Sequence, residues 1–136
     1  MRQTFEQIFA TRDWLLADGA TGTNLFNAGL ETGYPPELWN VEYPDRVTTL
    51  HASFIAAGAD IILTNSFGGT SFRLKLHQAE NSVNALHLAA AGLARQAADA
   101  VDEPVLVAGP MGPTGGLFQL LGTFGTNCGI GPAELL

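Results

Sequence analysis

The stretch DIILTNSFGGT, residues 60–70, decides how this chain is read: a short apolar run passes directly into a loop of hydroxyl, amide and glycine residues. Ile61, Ile62 and Leu63 follow one another with no polar interruption, the pattern of a strand covered on both faces rather than wet on one. Two further runs have the same character, WLLAD at 14–18 and PVLVAG at 104–109. Each is predicted as a short strand, and each feeds a loop of the same kind: DGATGTN after the first, TNSFGGT after the second, GPMGPTGG after the third. Helical periodicity fills the intervals. Val47, Leu50, Phe54 and Ala57 share one face of a helix that opens near Pro44, and Val83, Leu86, Ala90, Leu93 and Ala97 do the same within 80–100. Strands alternating with helices of this length predict βα units and a parallel sheet. In such folds the C-terminal strand ends gather the chemistry, because loops converge there while the sheet stays rigid.

Composition narrows the function classes. The chain has 136 residues, 46% hydrophobic and 14% charged, enough for one domain with a sizeable core. A formal charge of -7 and a pI near 4.6 argue against nucleic acid or an anionic membrane as partner. No apolar h-region opens the chain, and the longest apolar stretch, FIAAGADIIL, carries Asp60 and is far too short to span a bilayer. With one cysteine there is no internal disulfide, which suits a reducing compartment. The expectation is a soluble cytoplasmic protein.

Taken singly, the loops have plain readings beside functional ones. DGATGTN is either an anion-cradling turn or a tight βα turn in which Asp18 or Thr21 caps the next helix. TNSFGG either grips an amino-acid substrate or serves as a cap, and GPMGPTGG mostly meets backbone-shape requirements. His51, His77 and His87 fall in or beside helical patterns, far along the sequence from the glycine-rich loops, and read as surface or packing residues. The connection 29–43, GLETGYPPELWNVEY, is expected to pack Trp39 and Leu38 across one end of the fold. After Gly115 the rhythm fails: GLFQLLGTFG, 116–125, is too short for the crossover that a parallel strand requires, yet FGTNCGIGPAELL, 124–136, looks like another post-strand loop and holds the lone Cys128.

Together these segments resemble the homocysteine S-methyltransferase family, the group of betaine–homocysteine methyltransferase and the N-terminal domain of methionine synthase. The resemblance rests on LLADGATGTNLFNAGL, PPELWN, YPDRV, AGADIILTNSFGGTSFRLKLH, VAGPMGPTGG and GTNCGIGPAELL, in the family's order. It implies an α/β fold, a partial (β/α)8 TIM barrel with about the first three βα units plus one later strand-loop segment. Residues 1–136 then form an incomplete homocysteine-binding domain with a deletion seam near 116–125 and a C-terminal truncation. By the same resemblance Asp18 and Gly19 hold the homocysteine amino group and backbone, Thr64 contacts its carboxylate or amine region, and Cys128, beside Asn127, is the first of three zinc thiolates.

The implied reaction is methyl transfer from a donor, betaine favoured, to the zinc-activated thiol of homocysteine, giving methionine. The family's other two zinc cysteines have no counterpart in this sequence, so the ligand set is incomplete. Two alternatives follow, an inactive partial-barrel fragment and a small-ligand binding module without methyl transfer. Open sheet edges in a partial barrel also invite self-association.

Overall fold

In the computed structural model, which describes residues 3–112, the centre is a parallel pair of strands, β1 (Ile61–Leu63) and β2 (Leu106–Ala108), in register Ile61 to Leu106 and Leu63 to Ala108. The elements before and between them are α1 (Phe5–Phe9), α2 (Thr21–Asn27), α3 (Trp39–Glu42), α4 (Pro44–Ala56), α5 (Ser71–Leu74) and α6 (Val83–Asp99). The segment 14–18 lies on the other side of β1, also parallel, so the spatial order follows the order in sequence.

The structure corrects the strand expectation for that first segment. It makes a single bridge, Ala17 to Ile61, and no ladder. The cause lies in its hydrogen bonds. The Leu16 carbonyl accepts from the amides of both Asp60 (2.8 Å) and Ile61 (3.1 Å), while the Leu16 amide donates to the Asp60 carboxylate at 2.9 Å. A side chain has taken a place that a strand partner would occupy. The same carboxylate is paired with Arg12, so Asp60 pins the start of the segment from two sides.

The helix expectations hold. Pro44 stands in the first turn of α4, where its missing N–H costs nothing, and Val47 and Leu50 are buried beneath it. Gly58 ends this helix with φ +99°, a conformation that a side chain disfavours, and the chain turns from there into β1. On α6 the inward face is Leu86, Ala90, Ala94, Ala97 and Ala98. The small alanines let the helix axis sit close to the sheet, against Ala59, Ile62 and Val105.

A second core cluster, Leu25, Leu30, Trp39, Val47 and Leu50, ties α2 and the 29–43 connection to α4. Trp39 is buried as the sequence suggests, and the connection is not open loop: it folds into a helical turn at Pro36–Leu38 and then α3.

The expectation that the strands are buried on both faces is corrected as well. Ile62, turned to the helix layer, is fully buried, whereas Leu63, on the opposite face, is 36% exposed. Both crossover helices, α4 and α6, pack on one another and cover the Ile62 side, and the opposite face keeps its apolar side chains. Among the described residues no helix is long and apolar enough to cross a membrane.

Candidate functional site

The parallel strand ends meet where the sequence places Asp18, Thr64 and Gly109. Asp18 joins the first segment to β1 twice: its amide donates to the Ile61 carbonyl at 2.8 Å and its Oδ2 accepts from the Leu63 amide at 2.9 Å. The helix-capping alternative is therefore not what this side chain does. Helix α2 starts after Ala20 with no side-chain cap from Asp18 or Thr21. The other carboxylate oxygen, Oδ1, is buried and has no hydrogen-bond partner among the described residues. Beside it, a Cβ added to Gly19 would come within 3.2 Å of the Phe54 ring, so this turn rests directly on α4.

Thr64 joins β1 to the end of β2. Its amide donates to the Ala108 carbonyl at 2.9 Å, its side chain is buried, and its hydroxyl lies 2.7 Å from that of Ser66. Ser66 curls back so that its amide reaches the Thr64 carbonyl at 2.8 Å. Asp18, Thr64 and Ser66 thus bring a carboxylate and two hydroxyls to one rim, the arrangement that suits the ammonium and carboxylate ends of an amino acid. The capping role in this loop goes to Thr70, whose hydroxyl accepts from the Arg73 amide at the start of α5.

The loop behind Thr64 is held by a buried polar network. Asn65 Nδ2 donates to the Pro36 carbonyl at 2.8 Å and to Asn40 Oδ1 at 3.0 Å, and Asn40 Nδ2 donates to the Asn65 carbonyl at 2.8 Å. Glu37 Oε1 accepts from the Gly68 amide at 2.6 Å. This explains the glycine pair. A Cβ on Gly68 would stand 2.7 Å from Glu37 Oε1, and one on Gly69 would stand 2.7 Å from His87 Nε2. Neither glycine is there for an unusual φ; both are there for close approach.

Two histidines are nearer the glycine-rich loops than their sequence positions suggest. His87, in the first turns of α6, places Nε2 2.9 Å from the Gly69 carbonyl. His51 on α4 is almost wholly buried, with no partner on either ring nitrogen among the described residues. Burial pushes its pKa down from the ordinary 6.5, and the charge of Asp18 opposes that shift in part.

The unfolded chain takes up the His51 proton near pH 6.5 while the folded chain resists it, so the folded state holds fewer protons below that pH. Urea unfolding at a series of pH values is expected to show stability falling as pH drops below about 6.5, with that slope removed in His51→Gln.

Glu37, Asn40, Asn65, Ser66 and His51 were not singled out as site residues in the sequence, although PPELWN and TNSFGG contain four of them. A Pro-Pro turn followed by Glu and Asn, and a Gly-Gly pair directly after a strand, were the available signals.

Cys128, Asn127 and the 116–125 seam lie outside the described residues. Among the described residues no three His, Cys, Asp or Glu side chains converge on a point where a metal ion could sit, so these residues do not fit a zinc site by themselves. At the opposite end of the strands a groove of about 580 Å³ runs between α4 and α6, lined mostly by small apolar residues such as Ala52, Ala56, Ala97 and Ala100.

In parallel α/β folds, binding sites gather at the C-terminal ends of the strands, where this rim lies. The comparisons with known proteins give the family. The homocysteine S-methyltransferase family profile matches residues 15–135, and the chain belongs to that family. It is 33% identical over 110 residues to methionine synthase of Mycobacterium leprae (strain TN), a match covering 73% of this chain and 9% of that protein. The fold superposes on the homocysteine methyltransferase MmuM from Escherichia coli. In its metallated form the TM-score is 0.69 at 30% identity, covering 79% of this chain and 41% of that one. In its oxidized form the TM-score is 0.67 at the same identity, covering 79% and 40%. The chain thus spans well under half the length of these relatives.

Proposed function

We propose that residues 15–112 form the part of a homocysteine S-methyltransferase site that holds the amino-acid end of homocysteine. Asp18 receives the ammonium group, the Gly19 turn lies along the substrate backbone, and Thr64 contacts the carboxylate side. Within this proposal the described residues correspond to the first three βα units of a TIM barrel, and residues 1–136 form an incomplete homocysteine-binding domain with its seam near 116–125. The observation that carries it is Asp18 Oδ1. A buried carboxylate oxygen without a hydrogen-bond partner among the described residues, at the C-terminal end of parallel strands, is costly to the fold and useful for an ammonium ligand.

The chemistry asked of these residues is positioning. An amino acid gripped at both polar groups presents its thiol in a fixed direction, which converts a bimolecular encounter into an oriented one. A methyl donor of the betaine type and a cytoplasmic setting, where a lone thiol stays reduced, complete the proposed assignment. Zinc favours the thiolate where enough protein donors hold it. Zinc sites use three or four protein ligands, and Cys128 is the one thiol in this sequence. The role proposed for the described residues is substrate holding.

The test separates holding from transfer. L-Homocysteine titrated calorimetrically into the full chain is expected to bind, and to bind Cys128→Ser with the same affinity within about threefold, because the rim and not the thiol supplies the contacts. No binding to wild type overturns the proposal, and binding lost in Cys128→Ser assigns the contact to the thiol instead.

A further inference from the structure

We propose that His51 is a positioning residue for Asp18, its neutral ring turning an N–H toward Oδ1 and fixing the carboxylate in the orientation that receives the substrate ammonium. This rests on the homocysteine site proposed above and adds a residue to it.

Two independent observations meet here. His51 is 1% exposed and both its ring nitrogens are buried without a partner among the described residues. Asp18 Oδ1 is in the same condition. A buried imidazole that satisfies nothing is expensive, and leucine would pack the same place at no such cost.

The geometry of α4 gives the imidazole a reason to be there. Phe54, three residues on from His51 and so on the same helix face, is the ring against which Gly19 rests. This face of α4 therefore lies under the Asp18–Gly19 turn. The charge of Asp18 also acts on the His51 ring, opposing in part the effect of its burial.

A neutral imidazole has one N–H donor and one acceptor nitrogen. Leu63 already holds Asp18 Oδ2. A donor dipole on the Oδ1 side leaves the carboxylate anionic and stops it from rotating away, without adding a positive charge that would compete with the ligand. Lysine or arginine at position 51 would neutralise Asp18, whereas a neutral histidine orients it.

The experiment is a double-mutant cycle in the full chain, read with two probes, L-homocysteine and 4-mercaptobutanoic acid, which lacks the amino group. His51→Leu is expected to weaken L-homocysteine binding about tenfold and to leave 4-mercaptobutanoic acid unchanged, with His51→Gln, which keeps an N–H donor, restoring most of the loss. In an Asp18→Asn background His51→Leu is expected to add nothing. Equal losses for both probes, or losses that add in the double variant, overturn the proposal.

If Asp18→Asn alone leaves L-homocysteine binding intact, it is the assignment of Asp18 to the ammonium that fails. The His51–Asp18 link is then judged without ligand, by ¹⁵N resonances of the His51 ring. Asp18→Asn is expected to lower the His51 titration midpoint, and an unchanged titration curve overturns the link.

Discussion

Asp18→Ala is expected to weaken L-homocysteine binding by about two orders of magnitude while leaving the chain folded. A hydrogen bond between a charged pair contributes about 1.5–3 kcal/mol, and each 1.4 kcal/mol is about tenfold in affinity. Alanine removes the acceptor for the ammonium and also the Oδ2 contact that ties this segment to Leu63. Asp18→Asn separates the two effects, since an amide oxygen still accepts from the Leu63 amide but carries no charge. If charge is what grips the ammonium, the asparagine variant loses nearly as much affinity as alanine. Titration calorimetry reads the affinity, and circular dichroism establishes that both variants keep their helices. Undiminished binding by Asp18→Ala places the ammonium elsewhere.

Asn65→Asp is expected to lower stability by about 2–4 kcal/mol, a large effect for a change that keeps shape and volume. Asn65 Nδ2 donates to the Pro36 carbonyl and to Asn40 Oδ1. A carboxylate oxygen in its place sets three acceptors against one another in a buried position. The effect is expected to reach the site, because Thr64 and Ser66 flank Asn65 and draw their positions from the same loop. Urea unfolding of the two chains measures the loss. A difference under about 0.5 kcal/mol, within the usual range of an exposed substitution, contradicts a structural role for the network.

The periodic elements were legible because their signal is local. Val47 and Leu50 on α4, and Leu86, Ala90 and Ala97 on α6, are buried where their spacing places them, and the runs at 61–63 and 106–108 pair as parallel strands. The first segment was less legible. WLLAD has a strand's composition, but its pairing is decided by Asp60, 44 residues from Leu16 in sequence, whose carboxylate intrudes on the ladder. Nothing within 14–18 announces that.

The site divides in the same way. Asp18 and Thr64 sit in loops whose glycines, hydroxyls and family resemblance draw attention to them. Glu37 and Asn40 act at long range, reaching Gly68 and Asn65 from a segment that reads only as a Pro-rich connection. His51 is hardest of all. On a helix in sequence it resembles any surface or packing histidine, and only its burial, with both ring nitrogens unpartnered among the described residues, sets it apart.

Homocysteine is expected at the ends of the parallel strands and not in the groove at their starts. Amide chemical-shift mapping on the ¹⁵N-labelled chain during titration with L-homocysteine tests it most directly. The changes are expected to concentrate at Asp18, Gly19, Leu63, Thr64 and Ser66. Changes centred instead on Arg12, Gly58 and Glu103, at the margin of the opposite groove, contradict the account, and so does a spectrum that homocysteine leaves unmoved.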